Sequence, residues 1–265
     1  MNTNNFALIT GGTNGIGLEL AKLLAADRYN LIIVARDPVK LNEVRRQLMH
    51  RYPIEVVTIQ KDLFEGDAPY RVYEMVKAKN LTVDILINNA GQGVYGKFMD
   101  TDLDRELDII QLNIRASVVL TKHFLKDMLA RNTGKILNLS SIAGKVPGPY
   151  QAVYHGTKAF VHFFSEAIRS ELKDTGITVT SLLPGATDTD FFSKADMEQA
   201  KIVQESDLAD PAEVAKDGYQ ALMDGKDMVV SGFKNKMLVV QSQIMPDRAA
   251  TERMGKQQEP TNKDQ

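Results

Sequence analysis

The sequence predicts an α/β fold, a doubly wound and mostly parallel sheet of the Rossmann type with helices on both faces. Short segments rich in Ile, Val and Leu alternate along the chain with longer amphipathic segments, which is typical of β-α-β units. The short segments are apolar at nearly every position, as expected for strands that helices cover on both sides. A glycine-rich turn joins the first short segment to the first long one.

The order of these segments gives the elements and the domain organisation. The predicted strands are residues 6–10, 31–35, 54–59, 83–88, 135–140, 177–183 and 227–232. The predicted helices are residues 15–27, 38–50, 68–79, 102–131, 150–174 and 211–223. No repeat or Pro-rich linker divides the chain, so we expect one domain over residues 1–254. Residues 255–265 contain no large apolar side chain, which predicts a disordered tail.

The composition excludes several classes of function. The chain has 265 residues and a formal net charge of −2, so no bulk attraction to nucleic acid is expected. It contains no cysteine, which excludes thiolate catalysis and thiolate metal sites and fits a cytoplasmic location. The four histidines show no metal-binding spacing. We expect no signal peptide and no membrane span, because no basic leader or long apolar run is present.

The turn after the first predicted strand has the sequence TGGTNGIG at residues 10–17. Glycines at Gly11, Gly15 and Gly17 permit a tight turn and a close approach of the backbone to a pyrophosphate. The helix that follows offers unpaired N–H groups and the positive end of its dipole. A strand before the turn and a helix after it favour dinucleotide binding over a turn without a ligand.

The end of the second predicted strand indicates which dinucleotide is bound. NAD-selective sites usually place an acidic residue there, whereas this chain has Ala35 followed by Arg36. An arginine can pair with a 2′-phosphate through its planar fork of donors. Asp37 could supply the acid, but its position before Pro38 and a helix is typical of an N-cap. The sequence therefore predicts NADP(H) rather than NAD(H).

Two segments carry a tyrosine four residues before a lysine, YEMVK at Tyr73 and Lys77 and YHGTK at Tyr154 and Lys158. Reduction of a carbonyl leaves negative charge on oxygen, which requires a proton donor and hydrogen-bond support. A lysine at i+4 shares the helix face of the tyrosine and is expected to lower its pKa from about 10.

The surroundings distinguish the two pairs. Ser141 follows a predicted strand whose carboxyl end should face the crevice, and it could bond the substrate oxygen near Tyr154. Tyr73 and Lys77 have no such serine or glycine turn nearby and are surrounded by charges, which predicts an exposed helix face. We therefore predict that the pair at Tyr154 is the catalytic one.

Six motifs occur in order along the chain: TGGTNGIG (10–17), NNAG (88–91), Asn113, SS (140–141), YHGTK (154–158) and PGATDT (184–189). Together they resemble the short-chain dehydrogenase/reductase family, and the resemblance covers about residues 5–232. It implies an oxidoreductase that transfers a hydride between a nicotinamide and a small carbonyl or alcohol substrate.

The resemblance also implies catalytic roles. Tyr154 is the expected general acid in reduction and base in oxidation, and Lys158 is expected to bond the nicotinamide ribose. Ser141 is expected to position the carbonyl, in preference to Ser140, since it lies at the family's usual spacing from the tyrosine. Asn113 resembles an asparagine that interrupts its helix and holds a water linking the lysine to solvent.

The cofactor contacts implied by the resemblance fall on many further residues. They are Gly11, Thr13, Asn14, Gly15, Ile16, Gly17, Arg36, Asp62, Leu63, Asn89, Ala90, Gly91, Tyr154, Lys158, Pro184, Gly185, Thr187 and Thr189. Asp62 and Leu63 match a pair that bonds the adenine ring, although Asp62 could instead cap a turn. Many NADP-preferring relatives carry a basic residue in place of Asn14, so the phosphate preference depends here on Arg36.

We expect loops to form the part of the site that binds the substrate. They supply Tyr95, Phe98, Tyr150, Phe191 and Phe192, which suggests a largely apolar pocket, although these side chains could equally pack a core or lid. The segment at about 185–208 resembles a mobile substrate lid. We therefore expect a lipophilic carbonyl or alcohol substrate. The alternatives are a 3-oxoacyl thioester reductase and a non-catalytic nucleotide-sensing regulator, against which the intact serine, tyrosine and lysine argue.

The family resemblance also implies a homodimer or homotetramer. The expected interface is a face of the long predicted helices at 102–131 and 150–174. Residues 232–254 extend past the last predicted strand and could contact the pocket or a neighbouring subunit.

Overall fold

The computed structural model describes residues 5–205 and 207–261 and places seven strands of these residues in one parallel sheet. The strands are β1 (Asn5–Thr10), β2 (Asn30–Ala35), β3 (Val56–Gln60), β4 (Thr82–Asn88), β5 (Gly134–Leu139), β6 (Ile177–Leu183) and β7 (Met228–Val230). Their order across the sheet is β3-β2-β1-β4-β5-β6-β7. The predicted doubly wound α/β fold is confirmed.

Helices connect the strands and extend the chain beyond the last one. They are α1 (Gly15–Ala26), α2 (Pro38–Arg51), α3 (Ala68–Ala78), α4 (Leu103–Ile110), α5 (Ala116–Arg131), α6 (Ala152–Glu171), α7 (Phe191–Lys194), α8 (Lys201–Gln204), α9 (Pro211–Met223), α10 (Phe233–Ile244) and α11 (Asp247–Gln258). Within the part of the chain that the structure describes, no helix is both long enough and apolar enough to cross a membrane.

The alternation of side chains along each strand builds two hydrophobic cores. Ala7 and Ile9 of β1 pack with apolar residues of α1, α2 and α9. Phe6 and Leu8 of the same strand pack on the opposite face with residues of α3 and α5. Each fully buried Leu, Ile or Phe contributes about 1.5–3 kcal/mol of transfer free energy. The strand order reverses between β1 and β4, so a crevice opens at their carboxyl ends.

The long helix predicted over residues 102–131 is interrupted. Between α4 and α5 the chain forms a π-helical turn, Gln111–Arg115, which contains Asn113. Single π-turns inside a helix re-aim side chains and are frequent at functional sites. The helix predicted from residue 150 begins at Ala152, because Tyr150 has a left-handed backbone with φ of +66°.

The C-terminal region differs from the sequence prediction. Neither α10 nor α11 was expected as a helix, and α11 includes residues 255–258 of the predicted tail. Gln258 is only 3% exposed, and Thr261 N donates to Gln199 O at 3.0 Å. Polar contacts of this kind fix the position of the segment. The prediction did not include them, because it was based only on the lack of large apolar residues. Residues 262–265 of the predicted tail lie outside the described residues.

Candidate active site

One cavity lies beyond the carboxyl ends of the strands and is lined by the segments that follow β1 to β6. All the predicted catalytic and cofactor-binding residues except Asn113 line this cavity. The fold thus brings together residues that are up to 178 positions apart, from Gly11 to Thr189.

The glycine turn is held in shape by β4. Gly11 and Gly15 have φ of +66° and +51°, in the left-handed region that favours glycine. Asn89 Nδ2 donates to the carbonyl oxygens of Thr10 at 2.9 Å and Gly11 at 3.1 Å. A Cβ on Gly17 would lie 2.4 Å from both Asn89 Nδ2 and Gly11 O, so no larger residue fits there. The turn therefore has a fixed conformation that depends on its glycines, and its binding of a dinucleotide phosphate stays a prediction.

Thr10 is part of this arrangement and was not predicted. Its Oγ1 accepts hydrogen bonds from the main-chain N–H groups of Asn89 and Ala90, both at 3.0 Å. The side chain is buried, with 3% exposed. A buried threonine at the end of an otherwise apolar strand was the signal that could have indicated a polar partner on the neighbouring strand.

The predicted lid segment contacts the glycine turn. Asn14 Nδ2 donates to Asp190 Oδ2 at 2.6 Å, and this hydrogen bond is the main cause that lowers the pKa of Asp190. A Cβ on Gly15 would lie 2.8 Å from Thr189 Cγ2. Asn14 thus faces the cavity and fastens the start of the lid segment at the same time. The lid function of residues 185–208 stays a prediction.

The part of the cavity beside the ends of β2 and β3 carries three cationic side chains. Arg36 lines it together with Lys40 and Lys61, which the sequence analysis did not single out. Asp37 is the N-cap of α2, as predicted, because its Oδ1 accepts from the N–H groups of Val39 at 2.9 Å and Lys40 at 3.1 Å. Oδ1 of Asp37 is therefore engaged with the backbone of the helix, while Asp37 also lines the cavity.

Asp62 and Leu63 also line the cavity, directly after β3. Asp62 Oδ1 accepts from the N–H group of Phe64 at 3.1 Å, which is the turn-capping contact considered as its alternative role. This turn uses Oδ1 of Asp62, and Oδ2 takes no part in the capping contact. The predicted adenine contact of the pair stays a prediction.

Tyr154 and Lys158 lie on the first turns of α6, facing the cavity. Lys158 is 4% exposed, and its Nζ donates to Leu139 O at 2.8 Å. The same Nζ lies 5.7 Å from the centre of the Tyr154 ring. Burial lowers the pKa of Lys158 to about 8, because the charged ammonium is withdrawn from water.

The expected lowering of the tyrosine pKa is not found. Burial raises the pKa of Tyr154 to about 12, and the hydrogen bond with Ser141 opposes this only in part. Desolvation outweighs any effect of the lysine, which is itself buried and bonded to a carbonyl. The tyrosine is therefore protonated at neutral pH, which is the form that donates a proton.

The two serines after β5 have different partners. Ser140 Oγ donates to Lys158 O at 2.8 Å and fastens α6 to the sheet. Ser141 Oγ donates to Pro184 O at 3.3 Å and accepts from Ala143 N at 3.1 Å. Ser140 is thus committed to the helix backbone, whereas the longer bond of Ser141 is more easily exchanged for a substrate oxygen. This favours the predicted choice of Ser141.

Asn113 lies behind the cavity and not on its surface. Its Nδ2 donates to Gln92 O and Thr157 Oγ1, both at 2.9 Å, and its Oδ1 accepts from Gln92 N at 3.0 Å. A Cβ on Gly91 would lie 3.2 Å from both Asn113 Oδ1 and Lys158 Nζ. Asn113 therefore braces the end of β4 against α6 beside the lysine. Its predicted water relay stays a prediction.

The substrate end of the cavity is mainly apolar. Its lining includes Phe191, Phe192, Met197, Ile202 and Met254. Phe191 packs on the Tyr154 ring, with 5.1 Å between the ring centres.

Not all the predicted aromatic residues line this end. Phe98 is 58% exposed and lies outside the cavity lining. Tyr95 and Tyr150 stack on each other at 5.8 Å, and the Tyr95 hydroxyl donates to Gln258 O at 2.6 Å. These two rings therefore support the C-terminal segment.

Sequence reasoning missed three polar residues at this end, Gln151, His155 and Gln258, which all line the cavity. His155 was given no role, and Gln258 was placed in a disordered tail. Their juxtaposition joins residues more than 100 positions apart, so no local pattern could indicate it.

Comparison with known proteins agrees with this geometry. A sequence model of the family described as short chain dehydrogenase matches residues 5–200. A very-long-chain 3-oxoacyl-CoA reductase from Bos taurus is 35% identical over 185 residues, which are 68% of this chain and 58% of the bovine protein. An uncharacterized oxidoreductase from Staphylococcus epidermidis is 31% identical over 207 residues, 77% of this chain and 87% of that protein. The match therefore spans less than two thirds of the bovine protein.

A solved structure provides a comparison of the fold. A short-chain dehydrogenase from Sphingobium yanoikuyae, in complex with NADPH, superposes with a TM-score of 0.81 at 26% sequence identity. The alignment covers 91% of this chain and 96% of that chain.

Proposed function

This chain belongs to the short-chain dehydrogenase family, and we propose that it is an oxidoreductase that uses NADP(H), a carbonyl reductase or alcohol dehydrogenase for lipophilic small molecules. The observation that carries the proposal is the convergence of Ser141, Tyr154 and Lys158 on one cavity that the glycine turn also lines. An intact set of these side chains disfavours a regulator that only senses the nucleotide.

The side chains divide the chemistry of a reduction among them. A nicotinamide held in the cavity by the glycine turn would supply the hydride for the carbonyl carbon. The Tyr154 hydroxyl, protonated at neutral pH, donates its proton to the carbonyl oxygen, so that the product is an alcohol. Ser141 exchanges its bond to Pro184 for one to the same oxygen and holds it in place. Buried Lys158, whose pKa is lowered to about 8, holds a proton close to the tyrosine and can return one to it.

The preference for NADP(H) is supported by the charges beside the ends of β2 and β3. Arg36, Lys40 and Lys61 line the cavity there, and the carboxylate of Asp37 is engaged as an N-cap. The three cations would stabilise a 2′-phosphate, and Asp37, the acid next to Arg36 in the sequence, already accepts two backbone hydrogen bonds through Oδ1. The related dehydrogenase from Sphingobium yanoikuyae was solved with NADPH, which is consistent with this proposal.

We expect Arg36→Ala to weaken NADPH binding about tenfold or more and to leave NADH binding nearly unchanged, because one charge-assisted contact to the phosphate is lost. Dissociation constants for both cofactors, measured by fluorescence titration, check this. Arg45→Ala is the matched control, since Arg45 is exposed on α2 and does not line the cavity. An unchanged ratio of the two affinities in Arg36→Ala would contradict the role of Arg36.

A 3-oxoacyl thioester reductase is the second candidate. The similarity to the bovine very-long-chain 3-oxoacyl-CoA reductase favours it, although the match spans only part of that protein. The apolar lining by Phe191, Phe192 and Met254 suits an acyl chain as well as another lipophilic ketone.

Turnover assays separate the two candidates. NADPH oxidation is followed with lipophilic ketones and aldehydes and with 3-oxoacyl thioesters, beside Tyr154→Phe as the inactive control. Preference for the thioesters supports the second candidate, and preference for simple carbonyls supports the first. Cofactor binding without turnover of any substrate in the panel would favour the regulator.

We also propose that the protein forms a homo-oligomer. Apolar side chains on α4 and α6 are exposed in the single chain, with Leu103 and Phe163 both 64% exposed and Leu107 52% exposed. An exposed apolar surface of this kind is typical of a protein–protein interface. A monomeric mass in multi-angle light scattering at micromolar concentration would contradict this proposal.

A further inference from the structure

Three buried polar side chains form a cluster at the substrate end of the cavity. Gln151, His155 and Gln258 are 4%, 4% and 3% exposed, and all three line the cavity. The first two lie at the start of α6, close to Tyr154 in the sequence, and Gln258 is the last residue of α11. The cluster therefore joins the C-terminal segment to the catalytic helix.

The hydrogen bonds of the cluster fix the orientation of its groups. His155 Nδ1 lies 2.8 Å from Val146 O, which only accepts, so Nδ1 carries the proton of the ring. Burial lowers the pKa of His155, which keeps the ring neutral and leaves Nε2 as an acceptor. Gln258 Nε2 lies 2.9 Å from that nitrogen and 3.4 Å from Gln151 Oε1, so it donates to both.

Two polar atoms of the cluster, Gln151 Nε2 and Gln258 Oε1, are buried and have no hydrogen-bond partner among the described residues. The first is a donor and the second is an acceptor. A buried polar group without a partner costs about 1–3 kcal/mol, so both atoms favour a ligand that satisfies them. Both residues line the cavity, so a molecule bound there lies next to these side chains.

We propose that Gln151 and Gln258 recognise an uncharged hydroxyl or carboxamide group of the substrate, in addition to the carbonyl that reacts. This inference rests on the proposed function and narrows its substrate class. A hydroxyl or a carboxamide can accept from Gln151 Nε2 and donate to Gln258 Oε1 at the same time. The cluster contains no charged group, because His155 is neutral, and an ionised carboxylate or ammonium would be buried there without a counter-ion.

The cluster lies beside the reacting position. A Cβ on Gly93 would lie 3.2 Å from Gln151 Nε2 and 3.4 Å from Cδ2 of Tyr154, so both side chains pack against Gly93 and lie close to each other. Phe191, which packs on the Tyr154 ring, would lie 3.0 Å from the same point. The expected substrate is therefore lipophilic and carries its second polar group close to the reacting carbonyl, as in a hydroxyketone or a ketoamide.

Matched pairs of ketones test the inference. Each pair differs only in that a hydroxyl or carboxamide is replaced by methyl, and the pairs form a series in which the separation from the carbonyl increases. We expect kcat/KM to favour the polar member of at least one pair about tenfold or more, because the apolar member leaves both glutamines unpaired. In Gln151→Met and in Gln258→Met, which remove the donor or the acceptor at similar size, this preference should fall about tenfold.

Gln257→Met is the matched control, since Gln257 is on the same helix and does not line the cavity. It should keep the preference of the wild-type protein. Circular dichroism and thermal unfolding establish that each variant is folded, and the two glutamine variants lie on different elements, so one remains informative if the other is unstable.

The outcomes separate this inference from the proposed function. Equal kcat/KM within every pair, or a preference that persists in both variants, overturns the inference and leaves the reductase function standing. If no ketone is turned over, the proposed function fails, and binding of the same pairs to the protein with NADPH is measured by calorimetry. Tighter binding of the polar member that is lost in Gln258→Met then supports the inference, and equal or undetectable binding overturns it.

Discussion

Tyr73 and Lys77 on α3 repeat the spacing of Tyr154 and Lys158 on α6, and the two pairs also share their internal geometry. The lysine Nζ lies 5.8 Å from the centre of the tyrosine ring in the first pair and 5.7 Å in the second. Burial raises the pKa of both tyrosines. Nothing within either pair therefore distinguishes a catalytic site from a structural contact.

The surroundings of the two lysines differ. Lys77, with 51% of its side chain exposed, forms an ion pair with Asp127 at 3.0 Å, and the Tyr73 hydroxyl donates to the same carboxylate at 3.2 Å. Lys158 is buried and bonds the carbonyl of Leu139, at the edge of the cavity. A carboxylate neutralises the first pair on the surface, whereas the second pair lines the cavity and has no carboxylate partner in the part of the chain that the structure describes. The comparison shows that the cavity and the charges around the motif give it its chemistry.

The largest expected effect comes from removing each tyrosine hydroxyl in turn. Tyr154→Phe should reduce kcat about 10²–10⁴-fold, because it removes the proposed general acid. Tyr73→Phe should change kcat less than about twofold, because it removes one partly exposed hydrogen bond far from the cavity. Steady-state NADPH oxidation at saturating substrate measures both. Comparable losses in the two variants would show that the assay reports folding and not chemistry.

The pH dependence of the free energy of unfolding should distinguish Lys158 from Lys77. The pKa of Lys158 is lowered to about 8 in the folded chain, whereas the ordinary value of about 10.4 applies to the unfolded chain. Between these values the unfolded chain binds more protons, so folding stability rises with pH and the cost of burying the ammonium disappears. Relative to Lys158→Met, the wild-type protein should gain up to about 3 kcal/mol across this window.

Urea unfolding of both proteins without added cofactor, from pH 7.5 to pH 10, measures this gain. The upward shift of the Tyr154 pKa to about 12 acts in the opposite direction only above pH 10. Lys77→Met is the control, and its difference from wild type should stay within about 1 kcal/mol, as for an exposed ion pair. A constant difference between wild type and Lys158→Met would show that the lysine is not desolvated.

The same comparison shows what the sequence can and cannot predict. The alternation of apolar and amphipathic segments is a local pattern, and it predicted the sheet and the helices α1 to α6 and α9, with α4 and α5 as one helix; it did not predict α7 or α8. The glycine turn and the residues after each strand could be placed because parallel strands end at one edge. The exposed helix face predicted for Tyr73 is only partly found, since its ring packs on His123 at 4.6 Å and on Phe124 at 5.3 Å.

What could not be predicted depends on distant contacts. Two hydrogen bonds join segments that are far apart in the sequence, and no local pattern indicates that they meet. They are the bond from Asn14 to Asp190 and the bond from Gln258 to Gln151. The raised pKa of Tyr154 follows from burial, which the spacing of YHGTK does not contain. The π-helical turn at Asn113 spans only five residues, which is too short to change the hydrophobic periodicity of the long helical segment.

The smallest expected effect comes from removing the carboxylate of Asp127, which contacts Tyr73 and Lys77. Asp127→Asn keeps the shape of the side chain but removes the charge that pairs with Lys77 and accepts from Tyr73. The free energy of unfolding should fall by less than about 1 kcal/mol, because the ion pair is exposed and screened. kcat and the affinity for NADPH should not change, since Asp127 does not line the cavity. Turnover that falls tenfold in a folded Asp127→Asn protein would couple α3 and α5 to the active site and overturn the division between the two pairs.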